Sequence, residues 1–158
     1  MKKLLVALAM LFTINSLSAI EIGDKAINFT GTTVDGKKIS LDQYKGKKAV
    51  WLVFWATWCP YCEKEIPALK ELYEKYHDKV EIIGINIGVR DSMDNIEAYQ
   101  MEHDIPYSLI MSNAVTRDYR VRGTPTQIVI DINGTVIFKG TRVPKNIGDK
   151  TIDTLIAK

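Results

Sequence analysis

The sequence Trp55-Ala56-Thr57-Trp58-Cys59-Pro60-Tyr61-Cys62 contains both cysteines of the 158-residue chain. The run Ala49–Trp55 before it is apolar without polar alternation, which predicts a strand buried on both faces. Residues 60–76 after it are amphipathic and predict a helix, with Pro60 in the first turn and a kink at Pro67. The two cysteines are therefore expected where a strand ends and a helix begins.

This position suits thiol–disulfide exchange. The unpaired N–H groups of a helix start favour a thiolate and lower a cysteine pKa from about 8.5 toward roughly 3.5–7.5. Cys59 is the predicted attacking thiol, with an exposed sulfur, and Cys62 is the predicted shielded thiol that resolves a mixed disulfide. A zinc site would need two more ligands, and His77 and His103 lack a motif spacing. An incidental pair of buried thiols would not explain their place at the helix start.

The first twenty residues have the features of an export signal. Lys2 and Lys3 precede an apolar segment over residues 4–17, and small residues follow, so we place cleavage after Ala19, with Ser18 as the alternative. The predicted organisation is a signal peptide at 1–19 and a single domain at 20–158, in the periplasm or another extracytoplasmic compartment. An uncleaved membrane anchor is the competing interpretation, because the apolar segment is only slightly shorter than a membrane span.

Composition gives no electrostatic reason to expect nucleic acid as a partner. The formal charge is +2, and Lys2 and Lys3 supply both charges in the leader, so the remaining chain is neutral. The hydrophobic fraction of 46% and the charged fraction of 25% are ordinary for a globular domain. A disulfide that closes so short a loop adds little stability, so the cysteine pair indicates chemistry rather than a structural staple.

The rest of the chain predicts a mixed α/β domain. Asp35-Gly36 marks the turn of an N-terminal hairpin over residues 29–41, and Asn133-Gly134 marks the turn of a second hairpin. Parallel crossovers followed by an antiparallel hairpin give a central mixed β-sheet flanked by helices. The remaining segments are predicted as strands at 80–87, 107–111, 126–132 and 135–139, and as helices at 92–103, 113–119 and 146–157.

Several motifs together resemble the thioredoxin superfamily, and more narrowly the exported TlpA/ResA-like thiol–disulfide oxidoreductases. They are the block at residues 54–62, Glu65-x-Pro67, Leu41-x-x-Tyr44-Lys45-Gly46-Lys47 and Val121-Arg122-Gly123-Thr124-Pro125-Thr126. The resemblance runs from about Gly23 to the C-terminus. It implies a thioredoxin fold with an added N-terminal β-hairpin, no cofactor or metal, and a cis Thr124–Pro125 bond that faces the dithiol; without the family, a trans turn proline would be expected.

The resemblance also implies a surface and partners. We assign substrate binding to the residues around the dithiol and the proline loop, namely Trp58, Pro60, Tyr61, Thr124 and Pro125. The implied partners are protein thiols or disulfides and a membrane electron donor that re-reduces the dithiol, often in cytochrome c maturation. Glutaredoxins also use Cys-Pro-Tyr-Cys, but export and the N-terminal hairpin favour the TlpA/ResA-like group. The motifs do not specify the substrate, the direction of electron flow or the oligomeric state.

Two positions depart from the family pattern. Thioredoxins carry a buried Asp where this chain has Val53, and ResA-like proteins carry a Glu where it has Val89. Either carboxylate would help to move the proton of the resolving cysteine. We expect Val89 to pack and Glu63 and Glu65 to lie on the helix surface. Cys62 would then depend on water or another group for its deprotonation.

Other functions compete with a disulfide reductase. An oxidase or isomerase would use the same two thiols. A thiol peroxidase shares the N-terminal hairpin, but peroxidases of that kind place a Thr three residues before the attacking cysteine, whereas Thr57 lies two residues before Cys59. A non-catalytic protein could instead hold cysteine-bearing chains in the groove around Trp58 and Pro125.

Overall fold

The fold is seen in a computed structural model that describes residues 19–144, 147–155 and 157. The predicted signal peptide, apart from Ala19, lies outside the described residues. Within them, none of the helices has the length and apolar composition needed to cross a membrane. The strands are β1 Thr30–Thr32, β2 Lys38–Ser40, β3 Ala49–Trp55, β4 Val80–Asn86, β5 Ser108–Met111, β6 Thr126–Ile130 and β7 Val136–Gly140. The helices are α1 Pro60–Glu63, α2 Ile66–Tyr76, α3 Met93–Glu102, α4 Asn113–Asp118 and α5 Asp149–Leu155, with a 3₁₀ helix at Leu41–Tyr44.

The main sheet has the strand order β5-β4-β3-β6-β7. β3 is parallel to β4, which is parallel to β5, and β6 is antiparallel to both β3 and β7. This confirms the predicted mixed sheet. All seven residues of β3 are buried, as expected for a central strand that is covered on both faces.

Helices cover both faces of the sheet. Trp51 and Val53 of β3 face the layer formed by α1, α2, α3 and α5, while Leu52 and Phe54 face α4 and the N-terminal segment. The alternation follows from the two-residue period of a strand, which sends successive side chains to opposite faces. Each face thus buries its own apolar cluster, and β3 contributes to both.

The N-terminal hairpin forms a separate two-stranded sheet, β1–β2, as predicted. It continues into the edge strand β5, because Thr33 bridges Ile110 and the N–H of Val34 donates to the carbonyl of Leu109 at 3.1 Å. Gly31 permits this close approach, since a Cβ there would lie 2.9 Å from the Ile110 side chain. The hairpin therefore covers part of an edge that would otherwise be open to pairing.

The helix predicted over residues 60–76 is divided in two, and the break precedes Pro67. A proline inside a helix clashes with the carbonyl four residues earlier, which here belongs to Glu63, the last residue of α1. The second helix restarts at Ile66, where Pro67 is tolerated in the first turn. The helix is thus interrupted before Pro67 and not kinked at Pro67 as predicted, although the proline explains the interruption.

The C-terminal helix is shorter than predicted, beginning at Asp149. Ile152 and Leu155 are buried and Ile147 is partly buried. Asn146, where the helix was predicted to begin, and Ile156, within its predicted range, lie outside the described residues.

Alkaline pH is expected to destabilise the fold because Tyr107 and Tyr119 are buried as neutral phenols. Burial raises the pKa of each above its usual value of 10.0. The unfolded chain ionises near pH 10 and then holds fewer protons than the folded one. Each tyrosine should therefore lower the free energy of unfolding by up to about 1.4 kcal/mol per pH unit.

Urea unfolding measured from about pH 8 to about pH 11.5 should show this loss, which begins near pH 10. Tyr107→Phe should reduce the slope above pH 10, because one buried tyrosine with a raised pKa no longer titrates. A slope that Tyr107→Phe leaves unchanged would contradict the assignment.

Candidate active site

The two cysteines lie where β3 gives way to α1, and they form a disulfide with a Cα–Cα distance of 5.3 Å. Cys59 is the N-cap residue of α1, and its sulfur accepts a hydrogen bond from the Cys62 N–H at 3.2 Å. Pro60, which has no N–H, occupies the first turn. Since α1 is four residues long, stabilisation of negative charge at Cys59 comes from this local N–H rather than from a long helix dipole.

The predicted difference in exposure between the two cysteines is absent from the disulfide form. Cys59 is 4% exposed and Cys62 is 5% exposed. The prediction of an exposed Cys59 sulfur is therefore wrong for this state, in which the bond to Cys62 holds that sulfur against the helix start. The exposed side chains next to the dithiol are Trp58 and Tyr61, at 48% and 62%.

The Thr124–Pro125 peptide bond is cis, as the resemblance implied. Pro125 is buried and directly precedes β6, which runs antiparallel to β3. An open groove of about 560 Å³ lies between this loop and the start of the helices, lined in part by Tyr61, Lys64, Thr124, Pro125 and Arg142. The structure thus brings Tyr61, Thr124 and Pro125 to one groove.

Trp58 lies against a different loop. Its indole N–H donates to the carbonyl of Val89 at 2.7 Å, and the Val89 side chain is 48% exposed. The expectation that Val89 packs in place of a family carboxylate is therefore wrong. The loop thus supplies the Val89 carbonyl as a hydrogen-bond acceptor, while the Val89 side chain remains partly exposed to solvent.

Val53, the other departure from the family, is buried behind the dithiol. It pairs with Gly84 on β4 and with Gln127 on β6. No carboxylate occupies its place, but the neighbouring Gln127 is polar and fully buried. Its Oε1 accepts a hydrogen bond from the Trp51 indole N–H at 2.7 Å.

Glu65 is the side chain that the sequence placed least well. It is half-buried, and its Oε2 accepts hydrogen bonds from Gln127 Nε2 at 3.1 Å and from the Val143 N–H at 2.6 Å. The expectation of a surface position is wrong because the break between α1 and α2 directs this residue toward β6. Glu63, in contrast, is exposed as expected. A carboxylate thus lies three residues beyond Cys62, at the edge of the cis-proline groove.

Asp91 fixes the loop that leads to the dithiol. Its carboxylate accepts hydrogen bonds from the Thr57 N–H at 3.0 Å, from the Thr57 hydroxyl and from Asn86 Nδ2 at 2.7 Å. The neighbouring Ser92 caps α3, and its hydroxyl accepts a hydrogen bond from the Asn95 N–H at 3.2 Å. Asp91 instead links Asn86 at the end of β4 to Thr57 after β3. No local sequence pattern predicts this contact.

Comparison with known proteins agrees with this geometry. A profile of the AhpC/TSA family matches residues 22–139. The chain belongs to the AhpC/TSA family. Within it, the thiol-disulfide oxidoreductase ResA of Bacillus thuringiensis subsp. konkukian (strain 97-27) is 41% identical over 131 residues, which cover 81% of this chain and 75% of that protein. The chain is accordingly a ResA-like thiol–disulfide oxidoreductase.

Two further relatives agree with that family. The thioredoxin-like protein YneN of Bacillus subtilis (strain 168) is 33% identical over 135 residues, which cover 83% of this chain and 79% of the relative. The crystal structure of a thiol:disulfide interchange protein of the thioredoxin family from Chlorobium tepidum TLS has a TM-score of 0.69 and 32% identity. That comparison covers 78% of this chain and 90% of the other. The thioredoxin fold predicted for this ResA-like chain is confirmed.

Removing the Glu65 carboxylate should destabilise the fold, because Glu65→Ala leaves Gln127 Nε2 and the Val143 N–H without their acceptor. The expected loss is about 1–3 kcal/mol in the free energy of unfolding, measured by urea denaturation of the oxidised protein. Glu63→Ala is the matched control; Glu63 is exposed, so its removal should change stability by less than about 0.5 kcal/mol. Equal losses in the two variants would contradict the role of Glu65 as the acceptor for Gln127 and Val143.

Proposed function

We propose that this protein is an extracytoplasmic reductase of protein disulfides, with Cys59 as the attacking thiol and Cys62 as the resolving thiol. The observation that carries the proposal is the Cys59 sulfur at the cap of α1, 3.2 Å from the Cys62 N–H. An N–H that can donate to this sulfur stabilises its thiolate, which is the nucleophile of disulfide exchange. The second cysteine lies close enough to form the intramolecular disulfide that ends the reaction.

The reaction begins from the dithiol. The Cys59 thiolate attacks one sulfur of a substrate disulfide, a mixed disulfide forms at Cys59, and the other substrate sulfur leaves as a thiolate that takes up a proton. Cys62 then loses its proton and attacks the Cys59 sulfur, which releases the second substrate thiol and leaves the Cys59–Cys62 disulfide. The substrate gains two electrons and two protons, and the protein must regain them from a dithiol donor.

The substrate is proposed to bind across the mouth of the site. Trp58 and Tyr61 expose aromatic surface on either side of Cys59, and Pro60 lies between the two cysteines. The open groove beside Thr124 and Pro125 has a volume of about 560 Å³, which leaves room for a segment of a substrate chain. This arrangement favours a protein segment over a small thiol as the substrate.

The direction and location of the reaction rest on the likeness to exported TlpA/ResA-like proteins. We assign residues 1–19 to a signal peptide and 20–158 to the thioredoxin-like domain. Ile20 is buried and its carbonyl accepts a hydrogen bond from Lys139 Nζ at 2.8 Å, which supports a domain that begins there. A membrane electron donor would re-reduce the dithiol, and proteins of cytochrome c maturation are the proposed substrates.

A thiol peroxidase is disfavoured by the position of Thr57. Its hydroxyl donates to the Asp91 carboxylate, and it lies two residues before Cys59 rather than three. An oxidase or isomerase would use the same site and differs in the reduction potential of the dithiol. A non-catalytic binding protein would keep its function in Cys59→Ala, whereas the proposed reductase would lose it.

Replacing the resolving cysteine should trap the substrate. Cys62→Ala expressed with its leader should accumulate disulfide-linked complexes through Cys59, because the step that releases the substrate is missing. Non-reducing electrophoresis with mass spectrometry of the trapped proteins measures this outcome. Cys59→Ala is the control and should trap far less; equal trapping by both variants would refute the assigned roles.

A reductase also needs a low reduction potential. Equilibration of the purified domain with glutathione or dithiothreitol buffers should place the Cys59–Cys62 couple closer to about −270 mV, the thioredoxin value, than to about −120 mV, the value of a strong oxidant. A potential near the upper value would replace the reductase by an oxidase that uses the same residues.

A further inference from the structure

Cys62 lines a small cavity that shares no lining residue with the groove beside Pro125. The cavity leaves about 20 Å³ in which the centre of a water-sized sphere fits. A single water molecule needs roughly 10–15 Å³, so the space can hold one. The cavity lies between the sheet and the helices. Its lining includes Val53, Gly84 and Leu109 from the sheet, and Cys62, Ile66 and Tyr99 from the helices.

Two residues that line the cavity each carry a buried polar atom without a hydrogen-bond partner among the residues that the structure describes. These atoms are the indole nitrogen of Trp55 and the hydroxyl of Tyr99. The other two indoles are paired, Trp51 with Gln127 and Trp58 with the Val89 carbonyl. An unpaired buried donor costs about 1–3 kcal/mol, so two at one cavity indicate a shared polar occupant.

The sheet is built to leave this space. Val53, Gly84 and Leu109 lie side by side on three adjacent strands. Gly84 has no side chain, and a Cβ at that position would lie 3.1 Å from the Trp55 indole nitrogen. Glycine therefore leaves room for the Trp55 indole nitrogen in the wall of the cavity that Cys62 also lines, while Val53 adds no polar group of its own.

We propose that one water molecule, held by the Trp55 indole N–H and the Tyr99 hydroxyl, donates a hydrogen bond to the Cys62 sulfur and stabilises its thiolate. The water accepts from both donors and has its own O–H groups left for the sulfur, which gives it the three bonds typical of buried water. Trp55 and Tyr99 are then positioning residues that act through the water. The inference rests on the proposed function, since it concerns the step in which Cys62 attacks the mixed disulfide.

The proton balance of that step needs no buried base. The Cys62 thiol loses a proton to solvent before or during attack, the S–S bond to Cys62 forms as the Cys59–substrate S–S bond breaks, and the leaving thiolate takes up a proton. The bound water lowers the cost of the anionic intermediate without itself being consumed.

The groups around Tyr99 keep its hydroxyl protonated, so that it remains a hydrogen-bond donor. Burial first, and then the negative charges of Glu63 on α1 and Glu102 on α3, raise the pKa of Tyr99 to about 12. The ring packs on His103 at a centroid distance of 4.1 Å, and Tyr107, whose pKa burial also raises, lines the same cavity. The Tyr99 hydroxyl thus stays protonated at neutral pH.

The test uses 5,5′-dithiobis(2-nitrobenzoic acid) as the disulfide and follows release of thionitrobenzoate by stopped flow. The first release reports attack by Cys59, and the second reports resolution by Cys62. Tyr99→Phe should slow the second phase about tenfold near neutral pH and raise its midpoint by about one pH unit, with rates that converge at high pH. The first phase should not change.

Two control variants separate this role from others. Tyr119→Phe removes a buried hydroxyl on the opposite face of the sheet, where it donates to the Ile27 carbonyl at 2.7 Å, and should leave the pH profile of the second phase unchanged. Glu65→Gln tests the nearby carboxylate. A midpoint that shifts in Glu65→Gln and not in Tyr99→Phe would overturn the proposal and assign the role to Glu65.

A direct measurement on the wild-type protein does not depend on a variant that folds. In the reduced protein, the Trp55 indole N–H should show a magnetisation-transfer contact with a long-lived water, and the Trp51 indole should show none. The absence of a contact at Trp55 would overturn the proposal. If the wild type lacks the second phase altogether, the assigned role of Cys62 fails; if that phase is present and Tyr99→Phe reproduces its wild-type profile, the water inference alone fails.

Discussion

The pairing of β3 determines where every part of the site can lie. β3 runs parallel to β4 and antiparallel to β6. The carboxyl ends of β3 and β4 therefore meet the amino end of β6 at one edge of the sheet. The chain leaves β3 toward Cys59, leaves β4 toward Val89, and enters β6 from Pro125. Three segments distant in sequence therefore converge, because the directions of the three strands place them at the same edge of the sheet.

The sequence was most informative where one local pattern determines one structure. The bounds of β3 were predicted correctly because Ala49–Trp55 is apolar throughout and polar residues or turns flank it. The dithiol, its position at the start of a helix and the cis Thr124–Pro125 bond were likewise accessible, the last through the family resemblance. These features depend on neighbours in the chain, or on a motif that carries the fold with it.

The errors share a different cause, which is contact between residues far apart in sequence. Glu65 looked like a surface residue on its helix, yet its partners Gln127 and Val143 lie 62 and 78 residues away. Tyr99 likewise reads as an ordinary position of an amphipathic helix. Its position beside a cavity follows from the assembled sheet, in which Gly84 leaves room for the Trp55 indole nitrogen. A carboxylate and a cavity near a reactive cysteine are tertiary facts that helical periodicity cannot supply.

The equal burial of the two sulfurs bears on how the enzyme orders its steps. Exposure cannot distinguish Cys59 from Cys62 in the disulfide, so the distinction between attacking and resolving thiols has to come from the groups around each sulfur. Cys59 accepts the Cys62 N–H, a donor fixed by the helix backbone. Cys62 lines a cavity whose other walls are mostly apolar side chains, where burial disfavours a charged group. In the reductase that we propose, this difference favours Cys59 as the attacking thiol and leaves Cys62 to resolve the mixed disulfide.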